Sequence, residues 1–522
     1  MNKATKTSYR QWMALAAMSL GTFMGLLDVT VVNVALPTMA TSFNESFNNL
    51  QWVLNAYTLI LAVSLLVVSK LGDMFGRRKI FIASLVLFMI ASAVNGMAQN
   101  LLVLDIGRGV QAIGGAGMNS LSMALVASNF SGRQRGTALG ILGSVIGLST
   151  ASGPLIGGYL VGQFGWPSIF FINIPIGIIA IILTIVYVKE TPSYGAGSKI
   201  DWWGMLLSAA GLFAGVYGLI QKESHPHWAW TDMRIAGWLI AFVIILVVFI
   251  WVEKKVTAPM MDLNMFKSVH FVGAIAVALA LGIGVYSFNA FLTALMQNYI
   301  GYSALQTGVR QLVMSVWSLI LGPVTGILGA KYSKKWMISG AMFLGGIGFI
   351  IMANALTVQL SYSELWPSMV LFGITNGLVN PLLNTAGMEG AAPQEMGMAS
   401  GLLNVFRQIG TTVGVVGLGL VQTSRYESYL SAHIDNIKML PAAARTGLHK
   451  ALITAGPFSG HEIAFSKRLS HAPFAHDFQQ LVLRAYHSGM VGVLFTAAGV
   501  LFAGGLAAAI LMREHKGSGD VA

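Results

Sequence analysis

Ser69-Lys70-Leu71-Gly72-Asp73-Met74-Phe75-Gly76-Arg77-Arg78-Lys79 is a short turn, punctuated by glycine, between two long apolar runs. A second turn, Thr325-Gly326-Ile327-Leu328-Gly329-Ala330-Lys331-Tyr332-Ser333-Lys334-Lys335, also ends in paired cations. Superposing Arg77-Arg78 on Lys334-Lys335 gives an offset of 257 residues (334 − 77) in a chain of 522. Apolar runs closed by cationic turns, repeated at half the chain length, describe a duplicated membrane bundle.

Outward from these turns the pattern continues. A helix crosses the ~30 Å hydrocarbon core with about 20 apolar residues. Fourteen runs qualify, with cores at 12–35, 50–69, 80–98, 102–126, 137–161, 168–188, 203–221, 235–252, 271–296, 304–330, 336–356, 365–388, 398–422 and 488–511. Lipid offers the backbone no hydrogen-bond partners, and the runs are too long for barrel strands, so helices are predicted throughout. The first run is too long for the core of a cleaved signal, and no small-residue cleavage site follows it. Hydrophobic residues make up 55% of the chain and charged residues 10%, which excludes an ordinary soluble protein and a disordered one. With no cysteine, disulfides, thiolate nucleophiles and Cys-ligated metals are excluded. A net charge of +12 with so few charges points to basic loops on an anionic membrane surface rather than to nucleic acid.

Alternate loops divide the cations unevenly. With the N-terminus inside, nineteen Lys and Arg, beginning with Lys3, Lys6 and Arg10, fall on the cytoplasmic side and nine outside, seven of these in 423–486. Long loops cross regardless of charge, so both termini are placed in the cytoplasm. If each half has six spans, the second turn should follow the eighth span; it follows the tenth. Two extra spans, within 203–252, then separate the halves.

Four motifs give the chain a resemblance to the major facilitator superfamily, in its fourteen-span drug:proton antiporter group. They are Leu27-Asp28-Val29-Thr30-Val31-Val32-Asn33-Val34-Ala35-Leu36-Pro37, the turn at 69–79, Arg108-Gly109-Val110-Gln111 with Gly114, and Gly153-Pro154-Leu155-Ile156-Gly157-Gly158. The stretches 170–177 and Arg407-Gln408-Ile409-Gly410 are similar too. Ser69, Met74, Ala112 and Ser149 depart from the family pattern. The resemblance implies an all-α integral membrane protein of major facilitator fold: two six-helix bundles plus two extra transmembrane helices. The expected division is 1–190, an N-terminal bundle; 191–269, the linker pair; and 270–522, a C-terminal bundle with a long outer loop at 423–486. It also implies a multi-pass protein of the bacterial cytoplasmic membrane. Such a protein needs no cofactor or metal, is driven by the proton gradient, and exports lipophilic or cationic drugs by alternating access.

Charges inside the membrane are costly, so each is a candidate for function. Asp28 and Arg108 are read as the proton-coupling pair, since a carboxyl that alternates between a dry and a hydrated setting can load and release a proton. The alternative is a static ion pair, or a packing hydrogen bond from Asp28 to Thr30 or Asn33. Arg310 is expected to share a water-filled chamber with them, or else to snorkel outward. Asp105 is expected to pair locally with Arg108. Arg407 either neutralises helix ends or phospholipid, or serves transport. Gly72, Asp73, Gly76, Arg77 and Arg78 form a gate or a simple anchor. By resemblance, Asp73 and Arg77 lock the inner gate, and Ala330 stands where the second copy would need an acid. Gly147, Gly153, Pro154, Gly157 and Gly158 form a small-residue face around a helix irregularity, which by resemblance seals an antiporter against leak and otherwise serves close packing.

Flexible Met and flat aromatics suit lipophilic ligands. Met24, Asn33, Tyr57, Gln111, Tyr286, Phe288, Asn289, Phe291, Met296, Met314 and Trp317 are the candidates for lining a substrate site. Apart from Asp28 no acid is placed well inside the cavity, and Arg310 leaves room for neutral, zwitterionic or anionic substrates. The segment 423–486 holds His433, His449, His461, His471 and His476 without metal-site spacing, and is read as an outer domain of short amphipathic helices. In a two-membrane host it is a docking surface for a periplasmic adaptor. No Walker, zinc-protease or paired-carboxylate pattern supports an enzyme or a primary pump. A dedicated metabolite exporter of the same fold is the alternative; an importer or channel is disfavoured by the Gly-Pro face.

Overall fold

A computed structural model of the chain describes residues 9–45, 47–130, 132–191, 201–225, 228–256, 259–329, 331–358, 360–389, 395–437, 442–465 and 473–513. Lys3, Lys6, Lys199 and Lys516, which entered the orientation argument, lie outside the described residues, as do Ala330 and His471. The N-terminal bundle consists of α1 (Tyr9–Phe43), α2 (Phe47–Phe75), α3 (Arg77–Gly96), α4 (Leu101–Asn129), α5 (Gly132–Phe164) and α6 (Asn173–Tyr187). The linker pair is α7 (Trp202–Ser224) and α8 (Met233–Glu253). The C-terminal bundle has α9 (Val269–Tyr299), α10 (Ala304–Leu328), α11 (Lys334–Ala355), α12 (Tyr362–Met388), α13 (Met396–His433) and α15 (Ala475–Leu511), with an outer helix α14 (Ala442–Ala464).

All fourteen apolar runs lie on helices. Among the described residues, eleven helices are long and apolar enough to span a membrane, or twelve if the two arms of α5, which meet at 44°, form one span. α12 and α13 fall outside that set because Asn and Arg side chains interrupt them; Asn380, Asn384 and Asn404 are buried. Their polarity serves the interior of the protein rather than a lipid face.

Local chemistry fixes the helix starts. Asn100 accepts the amide of Val103 at 2.9 Å to begin α4, and Asp201 accepts that of Gly204 at 2.8 Å to begin α7. Ser303 and Gln306 form a reciprocal capping box at α10. The first turn is tighter than its sequence suggests. Gly72 is helical, packed where a Cβ would lie 2.4 Å from Leu121, and the reversal falls on Gly76 alone, at φ +106°. In the second copy α10 continues to Leu328, so Gly326 is a helix-packing residue instead of a turn residue. The segment 423–486 also differs from expectation. α13 has 38 residues and α15 has 37, about 57 and 56 Å long at 1.5 Å per residue, so both extend past the hydrocarbon. Between them runs α14, kinked at Gly456-Pro457, in place of several short helices.

Two seams join the bundles. At the first, α5 and α10 touch backbone to backbone: a Cβ on Gly140 would lie 2.1 Å from the Gly322 carbonyl, and one on Gly326 would lie 2.1 Å from that of Gly136. At the second, α13 lies against α2 and α4, with Ser400 Oγ donating to the Ser120 carbonyl at 3.3 Å. α7 rests on both α2 and α13. Leu59 and Ala62 meet Val216 and Ile220 there, and Lys70 Nζ donates to the Pro259 carbonyl at 2.9 Å. α8 packs on α7 and leaves Ile240, Val243, Ile244 and Val247 exposed, as a lipid-facing helix would.

Candidate functional site

Asp28 sits inside the N-terminal bundle, 2% exposed, facing a fully buried Arg108. Arg108 Nη1 bonds one carboxylate oxygen. The other oxygen accepts from Gln111 Nε2 at 2.9 Å and Asn173 Nδ2 at 3.0 Å. Ser92 ties these amides together: its hydroxyl accepts from Gln111 at 3.1 Å and Asn173 at 2.9 Å, and donates to the Phe170 carbonyl. Asn95 donates to Gln111 Oε1 at 2.8 Å. Arg108 lies 4.2 Å over the Tyr57 ring and donates from Nε to the Val53 carbonyl at 3.1 Å. Five helices therefore converge on one ion pair. A buried carboxylate and guanidinium survive desolvation only when their remaining donors and acceptors are used, and this network uses most of them. Arg108 Nη2 is left without a partner.

A second constellation lies where α2 ends. Asp73 Oδ1 pairs with Arg77 at 2.7 Å, and Asp73 Oδ2 accepts the Met398 amide at 3.1 Å. Met398 belongs to the first turn of α13, whose amides have no helical partner and carry the positive end of the helix dipole. Gly397 makes the approach feasible, since a Cβ there would lie 2.2 Å from the Asp73 carboxylate. Behind Arg77, Glu190 accepts the amides of Arg78 at 3.0 Å and Lys79 at 3.2 Å. It thereby caps α3 with an acid from the far end of the same bundle.

Between α5, α9, α10 and α12 lies a half-open cavity, lined by Gly147, Val285, Tyr286, Asn289, Gln311, Met314, Ser315, Gly373 and Asn376. Two π-helical turns, Gly282–Tyr286 and Leu295–Tyr299, distort α9 beside it. Gly282 and Gly410 allow α9 and α13 to cross closely there; a Cβ on Gly282 would lie 2.3 Å from the Arg407 carbonyl. The lining polar groups form a chain. Tyr286 donates to Asn376 Oδ1 at 3.2 Å and accepts from Asn380 Nδ2 at 2.9 Å. Arg407 Nη1 donates to Asn380 Oδ1 at 3.2 Å, and Arg407 Nη2 bonds Asn404 Oδ1.

The Major Facilitator Superfamily family model matches residues 18–415. The chain belongs to the major facilitator superfamily. This superfamily member is 32% identical over 426 residues to multidrug resistance protein Stp of Mycobacterium tuberculosis, covering 81% of this chain and 78% of that protein. It is 30% identical over 517 residues to the tetracenomycin C resistance and export protein of Streptomyces glaucescens, covering 97% and 92%. Among solved structures it resembles the human organic anion transporter MFSD10, with a TM-score of 0.61 at 13% identity over 95% of this chain and 99% of that one. The proton:xylose symporter XylE follows, with a TM-score of 0.56 at 14% identity over 94% and 95%. The facilitator is thus a multi-pass membrane transporter with multidrug and antibiotic exporters among its relatives, and not an enzyme.

The residues singled out in this facilitator's sequence separate into several places. Asp28, Arg108, Gln111 and Tyr57 form one network, while Tyr286, Asn289, Met314 and Gly147 line the cavity. Thr30 and Asn33 bond their own helix, donating to the Leu27 and Val29 carbonyls, and not Asp28. Asp105 does not pair with Arg108, whose carboxylate is Asp28; one Asp105 oxygen has no partner. Arg310 does not join them either. It stacks 4.1 Å over Tyr302 and 5.6 Å over Tyr362 near the end of α10, where aromatic faces receive a snorkelling guanidinium. Phe288 and Phe291 are core residues, and Phe288 packs edge-on to Phe349 at 4.9 Å. Met24 and Met296 are fully buried, and Trp317, 37% exposed, is not in the cavity wall. Gly153 and Gly157 face Thr30 and Val31 of α1, Pro154 faces Gly308 of α10, and a Cβ on Gly158 would rest at 3.8 Å from Leu305 of α10. Ser92, Asn95, Glu190, Asn376, Asn380 and Asn404 escaped the sequence reading, although each is a polar residue within or beside an apolar run. Arg310→Gln is expected to change dye-efflux rate and stability little, within about ±0.5 kcal/mol, as measured in whole cells and by thermal melting.

Proposed function

We propose that this facilitator is a proton-coupled antiporter that exports lipophilic compounds across the bacterial cytoplasmic membrane by alternating access, with both termini in the cytoplasm. The observation that carries this reading is the buried Asp28–Arg108 pair and its amide shell. Protonating Asp28 removes the charge that Arg108, Gln111 and Asn173 hold in common, so α1, α4 and α6 lose the interaction that fixes their relative positions. Loading and unloading one proton thus acts on helix packing instead of on the substrate directly. The Asp73 contact with the first turn of α13 exists only while the α2 and α13 ends are together, which suits a lock on the cytoplasmic gate. The Gly-Pro face of α5, wedged between α1 and α10, serves the leak seal. The exporter relatives support the direction of transport. The cationic substrates expected from sequence are less well served, because no carboxylate lines the cavity.

The test uses inside-out vesicles energised with a pH gradient and the neutral lipophilic dye Nile red. Wild type should accumulate dye and collapse the gradient. Asp28→Asn, at equal amounts of folded protein, should do neither. Full activity in that variant would remove Asp28 from proton coupling.

A further inference from the structure

Three arginines, Arg108, Arg310 and Arg407, fall inside the apolar runs, and the structure gives each a different setting. Arg108 faces a carboxylate, and Arg310 rests on tyrosines near a helix end. Arg407 has neither arrangement. It lies 11 residues into α13, about 17 Å along the axis and so near mid-membrane. No Asp or Glu of the described residues lies within ion-pair distance of it; its polar partners are the amide oxygens of Asn380 and Asn404. A guanidinium at this depth is expensive unless a counter-charge or water reaches it. The residue is half-buried, and Asn380 and the Tyr286 ring, 5.6 Å away, connect it to the cavity wall.

The chemistry of this corner is specific. The guanidinium has donors beyond the two that reach Asn380 and Asn404, and a carboxylate or ionised phenol could take them in a charge-assisted pair. The two asparagine oxygens hold the fork in place without neutralising it. Beside it, Tyr286 and Met314 offer a flat and a deformable apolar surface. The cavity wall itself carries no charge, and Arg407 stands just behind it, joined through Asn380 to Tyr286, so a cation would meet a positive charge and no acid.

Building on the export reading, we propose that Arg407, held by Asn380 and Asn404, is the counter-charge for the substrate, and that the cavity takes planar aromatic organic anions in preference to cations. Asn380 and Asn404 are positioning residues.

Fluorescein and rhodamine 6G share one tricyclic scaffold and carry opposite charge at neutral pH, so they isolate this property. Fluorescence anisotropy on purified, full-length protein, with no gradient applied, reads their affinities. Wild type should favour fluorescein by about tenfold or more, the span of a charge-assisted hydrogen bond. Arg407→Gln should abolish that preference by weakening fluorescein alone, and Arg407→Lys should keep a good part of it. Tighter binding of rhodamine 6G by wild type would overturn the proposal, and that result requires no variant to fold. Unchanged fluorescein affinity in a folded Arg407→Gln protein would overturn it as well. Because binding is read without a gradient, an anion preference in a protein that fails the vesicle test would defeat the antiport reading and leave this one standing.

Discussion

Arg108→Leu is expected to destabilise the protein by about 3–5 kcal/mol, because it leaves the Asp28 carboxylate and two amides with no cation in a dry interior. The leucine also gives up the stacking on Tyr57 and the bond to the Val53 carbonyl. Asp28→Leu alone should cost a comparable amount by stranding Arg108. The informative protein is the double variant. Asp28→Leu with Arg108→Leu should recover a good part of the loss, giving a coupling of about 1–3 kcal/mol between the two sites. Thermal melting of the four purified proteins measures this directly. Additive losses would mean that the pair contributes no mutual stabilisation. Transport should stay absent in all three variants, since restored packing does not restore a proton carrier. That separation of stability from activity distinguishes a coupling residue from a merely structural one.

The second large effect is expected at the first seam. At Gly322 a Cβ would lie 2.4 Å from the Gly140 carbonyl, which is backbone and cannot rotate away. Gly322→Val should force α5 and α10 apart and lower transport by at least about tenfold, through overpacking that typically costs 1–3 kcal/mol. Because the chain has no cysteine, Ser144→Cys with Ser318→Cys can report the spacing by cross-linking yield, which should fall in the valine protein. Gly162→Val is the control: nothing lies within 4 Å of a Cβ there, and its effect should be small. Equal losses at the two positions would show that general helix propensity, and not the seam, is responsible.

Span positions were legible in the sequence because a run of apolar residues and a basic flank are local signals. Asp28, Arg108 and the 69–79 turn were legible for a related reason: a charge in an apolar run stands out wherever it points. What the run cannot reveal is direction. Arg310 and Arg108 lie at similar distances into their helices, yet one turns to tyrosines near its helix end and the other to Asp28 inside the N-terminal bundle. Phe288 and Tyr286 are two residues apart on α9, and only the tyrosine reaches the cavity, through a π-helical turn that sequence periodicity does not register. Asn173 and Glu190 were overlooked because each acts through a partner more than a hundred residues away. Gly136, Gly140 and Gly322 of the α5–α10 contact give no local signal, because their pairing across the bundles exists only in three dimensions.

The position of α7 bears on how greasy molecules arrive. Compounds dissolved in a bilayer leaflet commonly reach a membrane protein sideways, between helices, instead of from water. Here α7 lies across the seam of α2 and α13 like a shutter, with Trp52 and Tyr217 closing its upper edge at a ring separation of 6.0 Å. The opposite seam is sealed by glycine backbones in contact along α5 and α10. Sideways entry is thus blocked on one flank by an added helix pair and on the other by the bundles themselves.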